Sequence, residues 1–129
     1  MNEMVKEWID KAEGDFSTAL REYRARTKRN PDAVCFHAQQ CVEKYLKACL
    51  QKNRIPFAKT HDLAVLVKAC LPLNPLWESW IFDMDTLTRY AVLFRYPGES
   101  ATANDAARAM RFAASYRHEI RTALGLDKA

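Results

Sequence analysis

FHAQQCVEKYLKACL, residues Phe36–Leu50, decides the fold of this chain. Together with Val34 and Cys35, its apolar residues Phe36, Ala38, Cys41, Val42, Tyr45, Leu46, Ala48, Cys49 and Leu50 cover most of a helix circumference. Only Gln40, Lys44, Lys47 and Gln51 form a polar strip. A helix this apolar has neighbours on more than one side, so it is expected at the centre of a bundle, with surface to offer a second copy. Asn30-Pro31 marks its start, an N-cap followed by proline at the first helical position, and the pattern runs to about Lys52.

Working outward, Val5, Trp8, Ile9, Ala12, Phe16, Ala19, Leu20 and Tyr23 repeat at helical spacing and predict a first helix from about Asn2 to about Lys28. Asp15 lies beside that stripe and needs a partner, because burying an unpaired polar group is costly. Arg21, Arg24, Arg26, Lys28 and Arg29 crowd the helix end, either as a solvated terminus that suits the helix dipole or as an RNA-binding patch. After the loop Arg54–Lys59, Thr60 is expected to cap a short helix with the stripe Leu63, Leu66, Val67 and Cys70, stopped by Pro72. Asn74-Pro75 opens a fourth helix to about Phe94, which Arg95-Tyr96-Pro97-Gly98 breaks. Thr102 and Asp105 form a capping-box-like pair before a last helix carrying Ala106, Met110, Ala113, Tyr116, Ile120 and Leu124, and Gly125 ends it. No strand-like alternation occurs. The expected architecture is an all-α, up-and-down antiparallel bundle of four long helices and one short one, a single domain over residues 1–129.

Composition agrees. Hydrophobic residues make up 49% of the chain and charged residues 28%, while three glycines and five prolines argue against a turn-rich β fold. The net charge of +4 permits contact with phosphate without demanding it. No secretory signal or membrane span is read, and a cytoplasmic protein without membrane association is expected. Cys35, Cys41, Cys49 and Cys70 form no C-x-x-C pair, so they read as small core hydrophobes and no metal site or cofactor is expected.

No Gly-rich phosphate loop, G-x-S-x-G or H-E-x-x-H occurs, which leaves acid–base chemistry to His37, His61 and His118. His61, following Thr60 and Lys59, either lends itself to a phosphate site at a helix N-terminus or packs there against a carbonyl or carboxylate. His37 reads as a hydrogen-bonded packing residue. Arg111 and His118 share a face of the last helix with Ser115 and Thr122. An arginine to hold phosphate and a histidine to move protons is the minimal kit for metal-independent RNA cleavage, yet this is also the polar side of an amphipathic helix. Lys44 and Lys47 can neutralise Asp15 or a neighbouring glutamate, or contact nucleotide phosphate. Arg95 and Tyr96 can clamp a phosphate and stack a base, or anchor their loop.

These elements, in this order, resemble the HEPN family. Trp8, Ala12, Asp15 and Ala19 are similar to its first helix. Phe36, Ala38, Gln39, Gln40, Glu43, Lys44, Leu46, Lys47 and Leu50 are similar to its second. Thr60-His61-Asp62-Leu63 with Leu66 follows, and Leu87, Tyr90 and Arg95-Tyr96-Pro97 resemble the end of the family's next long helix. The resemblance implies a cytoplasmic bundle that dimerises through its central helices. It also implies a minimal nucleotidyltransferase as partner in a toxin–antitoxin-like pair, and nucleotide binding (ATP or GTP) or RNA as ligand. Many members are metal-independent ribonucleases with an arginine, four to six residues and a histidine. Here Arg111–His118 has such spacing. Phe112 follows that arginine in place of the usual polar residue, and the tyrosine usual after the histidine is missing. The chain therefore resembles the nucleotidyltransferase-associated branch, with Lys44, Lys47, His61, Arg95 and Tyr96 as nucleotide- or phosphate-binding candidates. A ribonuclease toxin using Arg111 and His118, and a ligand-free interaction module, are the alternative expectations.

Overall fold

A computed structural model of the chain describes residues 1–128. Four of its five α-helices begin where a short polar side chain holds free N–H groups of the first turn. Helix α1 (Glu3–Arg24) is capped by Asn2, α2 (Pro31–Lys52) by Asn30, α3 (Leu63–Cys70) by Asp62 and α5 (Ala103–Ala123) by Thr102. A 3₁₀ segment, Pro75–Trp80, runs directly into α4 (Ile81–Leu93). At α5 the capping box is complete: Thr102 accepts from the Asp105 N–H, and the Asp105 carboxylate accepts from that of Thr102. Backbone bonding there holds Asp105 below the usual carboxylate range.

The architecture is all-α, as expected, with three local corrections. Helix α1 ends at Arg24, not Lys28, and Lys28 takes a positive φ of 50°. Arg26, Lys28 and Arg29 therefore lie beyond the helix, where Arg29 Nε donates to the Ala25 carbonyl at 2.7 Å. Asp62, not Thr60, caps α3. Its carboxylate reaches the N–H groups of Ala64 and Val65, whereas the Thr60 hydroxyl only accepts from the Asp62 N–H. The expected fourth helix is split: its first turns, Pro75–Trp80, wind as a tighter 3₁₀ helix in which Trp77 and Trp80, spaced i and i+3, stack with centroids 4.3 Å apart.

Helix α2 is the centre, in contact with α1, α3, α4 and α5. From Cys41 to Leu50 every residue but Lys44 is buried. Tyr45, Leu46 and Leu50 are fully enclosed and meet Leu63, Leu66, Met84, Leu87, Ile120 and Leu124 in the main core. This half of α2 is used up inside the chain, so the expectation that the central helix provides a surface for a second copy does not hold for it. The four cysteines are buried and unpaired by disulfide. Among the described residues no helix is long and apolar enough to cross a membrane.

Candidate functional site

Three polar clusters interrupt the core, and all draw on α2. On one row of that helix Gln39, Glu43 and Lys47 succeed one another at i, i+4 and i+8, each less than a tenth exposed. Glu43 is the hub. Its Oε2 lies 3.1 Å from Lys47 Nζ. Its Oε1 lies 2.9 Å from His61 Nδ1, and the Gln39 and Gln40 amides donate to it at 3.3 and 3.4 Å. Gln39 also donates to the His61 carbonyl at 2.8 Å, tying the segment before α3 to α2. A carboxylate only accepts, so Nδ1 is the donor in this bond and Nε2 is the ring nitrogen left outside it.

Beside this hub lies a groove of about 300 Å³, lined by Phe36, Gln39, Gln40, His61, Thr88, Ala91, Val92 and Arg95. Arg95 follows α4 at the break and lies 6.0 Å from the Phe36 ring centroid. Among the described residues no carboxylate lies within ion-pair distance of it. An unpaired guanidinium, two primary amides, an imidazole and an aromatic ring thus border one cavity.

The other clusters hold the bundle together. Asp15 of α1 accepts from Lys44 Nζ, and its other oxygen lies 2.8 Å from His37 Nδ1. Asp15 has the partner its position demanded, and His37 has the packing role expected of it. Glu13 of α1 receives Arg117 of α5 in a bidentate pair at 2.7 and 2.6 Å, and the Tyr45 hydroxyl donates to it as well. The Arg117 guanidinium holds the Glu13 carboxyl below its ordinary value. Burial, first of all, pushes the Tyr45 and Tyr116 phenols up. Burial also pushes the Cys35 thiol up to about 12 and that of Cys41 higher, which removes both as nucleophiles at neutral pH.

The expected site residues therefore divide. His61 and Arg95 come together at the groove. Lys44 and Lys47 are committed to Asp15 and Glu43, the ion-pair alternative. Tyr96, 63% exposed, borders a neighbouring groove with Asp62, Asp85, Thr88, Arg89, Val92 and Leu93. Arg111 and His118 are exposed on α5 and line neither groove. His61 precedes α3 and packs against the Glu43 carboxylate, one of its two expected readings, while the Asp62 carboxylate occupies the helix N-terminus that the other reading gave to a phosphate. Sequence reasoning placed Gln39 and Glu43 only within a resemblance, set Gln40 in a polar strip, and missed their joint role as the polar hub. Their signal was the i, i+4, i+8 row Gln39–Glu43–Lys47 inside an otherwise apolar helix.

Among the described residues no group of three or more His, Cys, Asp or Glu side chains could hold a metal ion. The family model described as the HEPN domain matches residues 5–121. A Methanocaldococcus jannaschii protein named "Putative toxin MJ1304" is 32% identical over 100 residues, which cover 72% of this chain and 63% of that protein. The chain thus spans less than two thirds of that relative's length. No solved structure matches.

Proposed function

The chain belongs to the HEPN domain family, and from that premise we propose that it is a toxin-like member of a two-protein, toxin–antitoxin-like system. In this reading it is a cytoplasmic homodimer, one domain over residues 1–129, whose α2–α4 groove binds a nucleotide or another phosphate-bearing group. Its partner is a minimal nucleotidyltransferase. The toxin part of the reading is supported by the name of the M. jannaschii relative.

The observation that carries the binding site is the unpaired Arg95 facing the same cavity as His61, Gln39 and Gln40. Arginine matches phosphate geometry with two parallel N–H bonds. The half-buried Gln40 keeps its amide oxygen free to accept from a base edge, its NH2 group being held by Gln39 and Glu43, and the Phe36 ring offers a stacking face. Lys47 neutralises Glu43 from within, so the buried carboxylate does not repel an incoming phosphate as a bare charge would. The ribonuclease alternative built on Arg111 and His118 has no such support, because both side chains are exposed on α5 and neither borders the groove.

Isothermal titration of the purified chain with ATP and with GTP tests the site. A charged hydrogen bond contributes about 1.5–3 kcal/mol, so Arg95→Ala is expected to weaken binding about tenfold or more. Failure of both nucleotides to bind, or binding indifferent to Arg95→Ala, refutes the groove as the site. Stoichiometric co-purification of a small nucleotidyltransferase with the tagged chain from its host tests the partnership.

A further inference from the structure

Helix α4 is apolar on two sides. Met84, Leu87, Tyr90 and Ala91 are buried against the bundle. On the outer side Phe82 is 81% exposed and Val92 52%, with Leu93 and then Tyr96 continuing the patch. At 100° per residue Phe82, Asp85, Arg89, Val92 and Leu93 fall within one arc of about 100°. Two charges sit inside that arc, and neither Asp85 nor Arg89 pairs with another charge among the described residues. Their positions are symmetric about Leu87: Asp85 and Arg89 stand two residues to either side of it, Phe82 and Val92 five.

We infer that this outer face of α4 is the surface on which a second copy of the chain docks, the two α4 helices packing antiparallel about a two-fold axis near Leu87. In that register Asp85 meets Arg89 of the second copy, Phe82 meets its Val92, and each contact occurs twice, as a closed isologous interface requires. Both charges gain a partner they lack within the chain, and the exposed aromatic and aliphatic groups leave water together. The inference deepens the homodimer part of the proposed function and rests on it. It also bears on the groove. Thr88 and Val92 line both the candidate nucleotide site and the neighbouring groove of about 440 Å³, so the docked copy would wall the site on its α4 side.

Sedimentation equilibrium of the full chain tests the face, with far-UV circular dichroism to show that each variant is folded. The wild type is expected to dimerise and Phe82→Glu to sediment as a monomer. Arg89→Asp and Asp85→Arg each set like charges opposite one another twice, and each is expected to weaken association about tenfold or more. The double variant D85R/R89D restores opposite charges in the same register and is expected to recover dimerisation to within about threefold of wild type. A wild-type chain that stays monomeric overturns both this inference and the homodimer reading, and leaves the face to a different protein. A dimer indifferent to all four variants overturns the face alone.

Discussion

Lys47→Met probes the buried hub most directly. The Lys47 side chain is 8% exposed and that of Glu43 4%, so the substitution leaves a carboxylate inside the bundle without its lysine. Removing one partner of a buried pair costs about 3–5 kcal/mol. Glu43 keeps the Gln39 and Gln40 amides and His61, whose side chain is 78% exposed and its attraction correspondingly screened. The expected loss is therefore at the lower end, about 3 kcal/mol, equivalent to about 10 °C in Tm for a chain of this size. Replacing both partners by apolar residues of similar volume, Glu43→Leu with Lys47→Met, removes the uncompensated charge and should return stability to within about 1 kcal/mol of wild type. His61 then loses the carboxylate that orients it, so the double variant is expected to fold yet bind nucleotide more weakly. Urea denaturation at neutral pH, followed by circular dichroism, measures both stabilities. A single-variant cost below about 1 kcal/mol would refute the reasoning, because it would show that the Glu43 charge does not depend on Lys47.

Acid stability depends in part on Glu13. Arg117 depresses its folded-state value below the ordinary 4.5, so the stabilisation is fully present above about pH 4.5 and is lost as pH falls through the lowered value. Glu13→Gln should flatten that limb of a pH titration of Tm, and an unchanged acid limb would contradict the assignment. Asp62→Ala should cost about 1 kcal/mol, as loss of an N-cap does, whereas Thr60→Ala should cost clearly less. Thermal denaturation of the two variants decides which residue caps α3.

The apolar stripes and caps placed the helices along the chain without help from the structure, apart from the end of α1, the cap of α3 and the 3₁₀ start of the fourth. Asn30-Pro31 and the Thr102–Asp105 pair marked two helix starts because capping is local, a side chain satisfying N–H groups within three residues. The excess of apolar residues in Phe36–Leu50 likewise required a central helix, since an all-round apolar surface must be covered. Asp15's need for a cation was legible too, although which lysine would meet it was not. Where propensities compete over a few residues the sequence said less: Thr60 and Asp62 are both good caps, and the tertiary structure, which ties this segment to Gln39, Glu43 and Thr88, shows Asp62 in the capping position. The hub of Glu43, the convergence of Arg95 with His61 and the exposed outer face of α4 depend on residues far apart in sequence or on which side of a helix the bundle covers. Periodicity places residues on a face, but tertiary packing alone decides whether that face meets the core, a ligand or water.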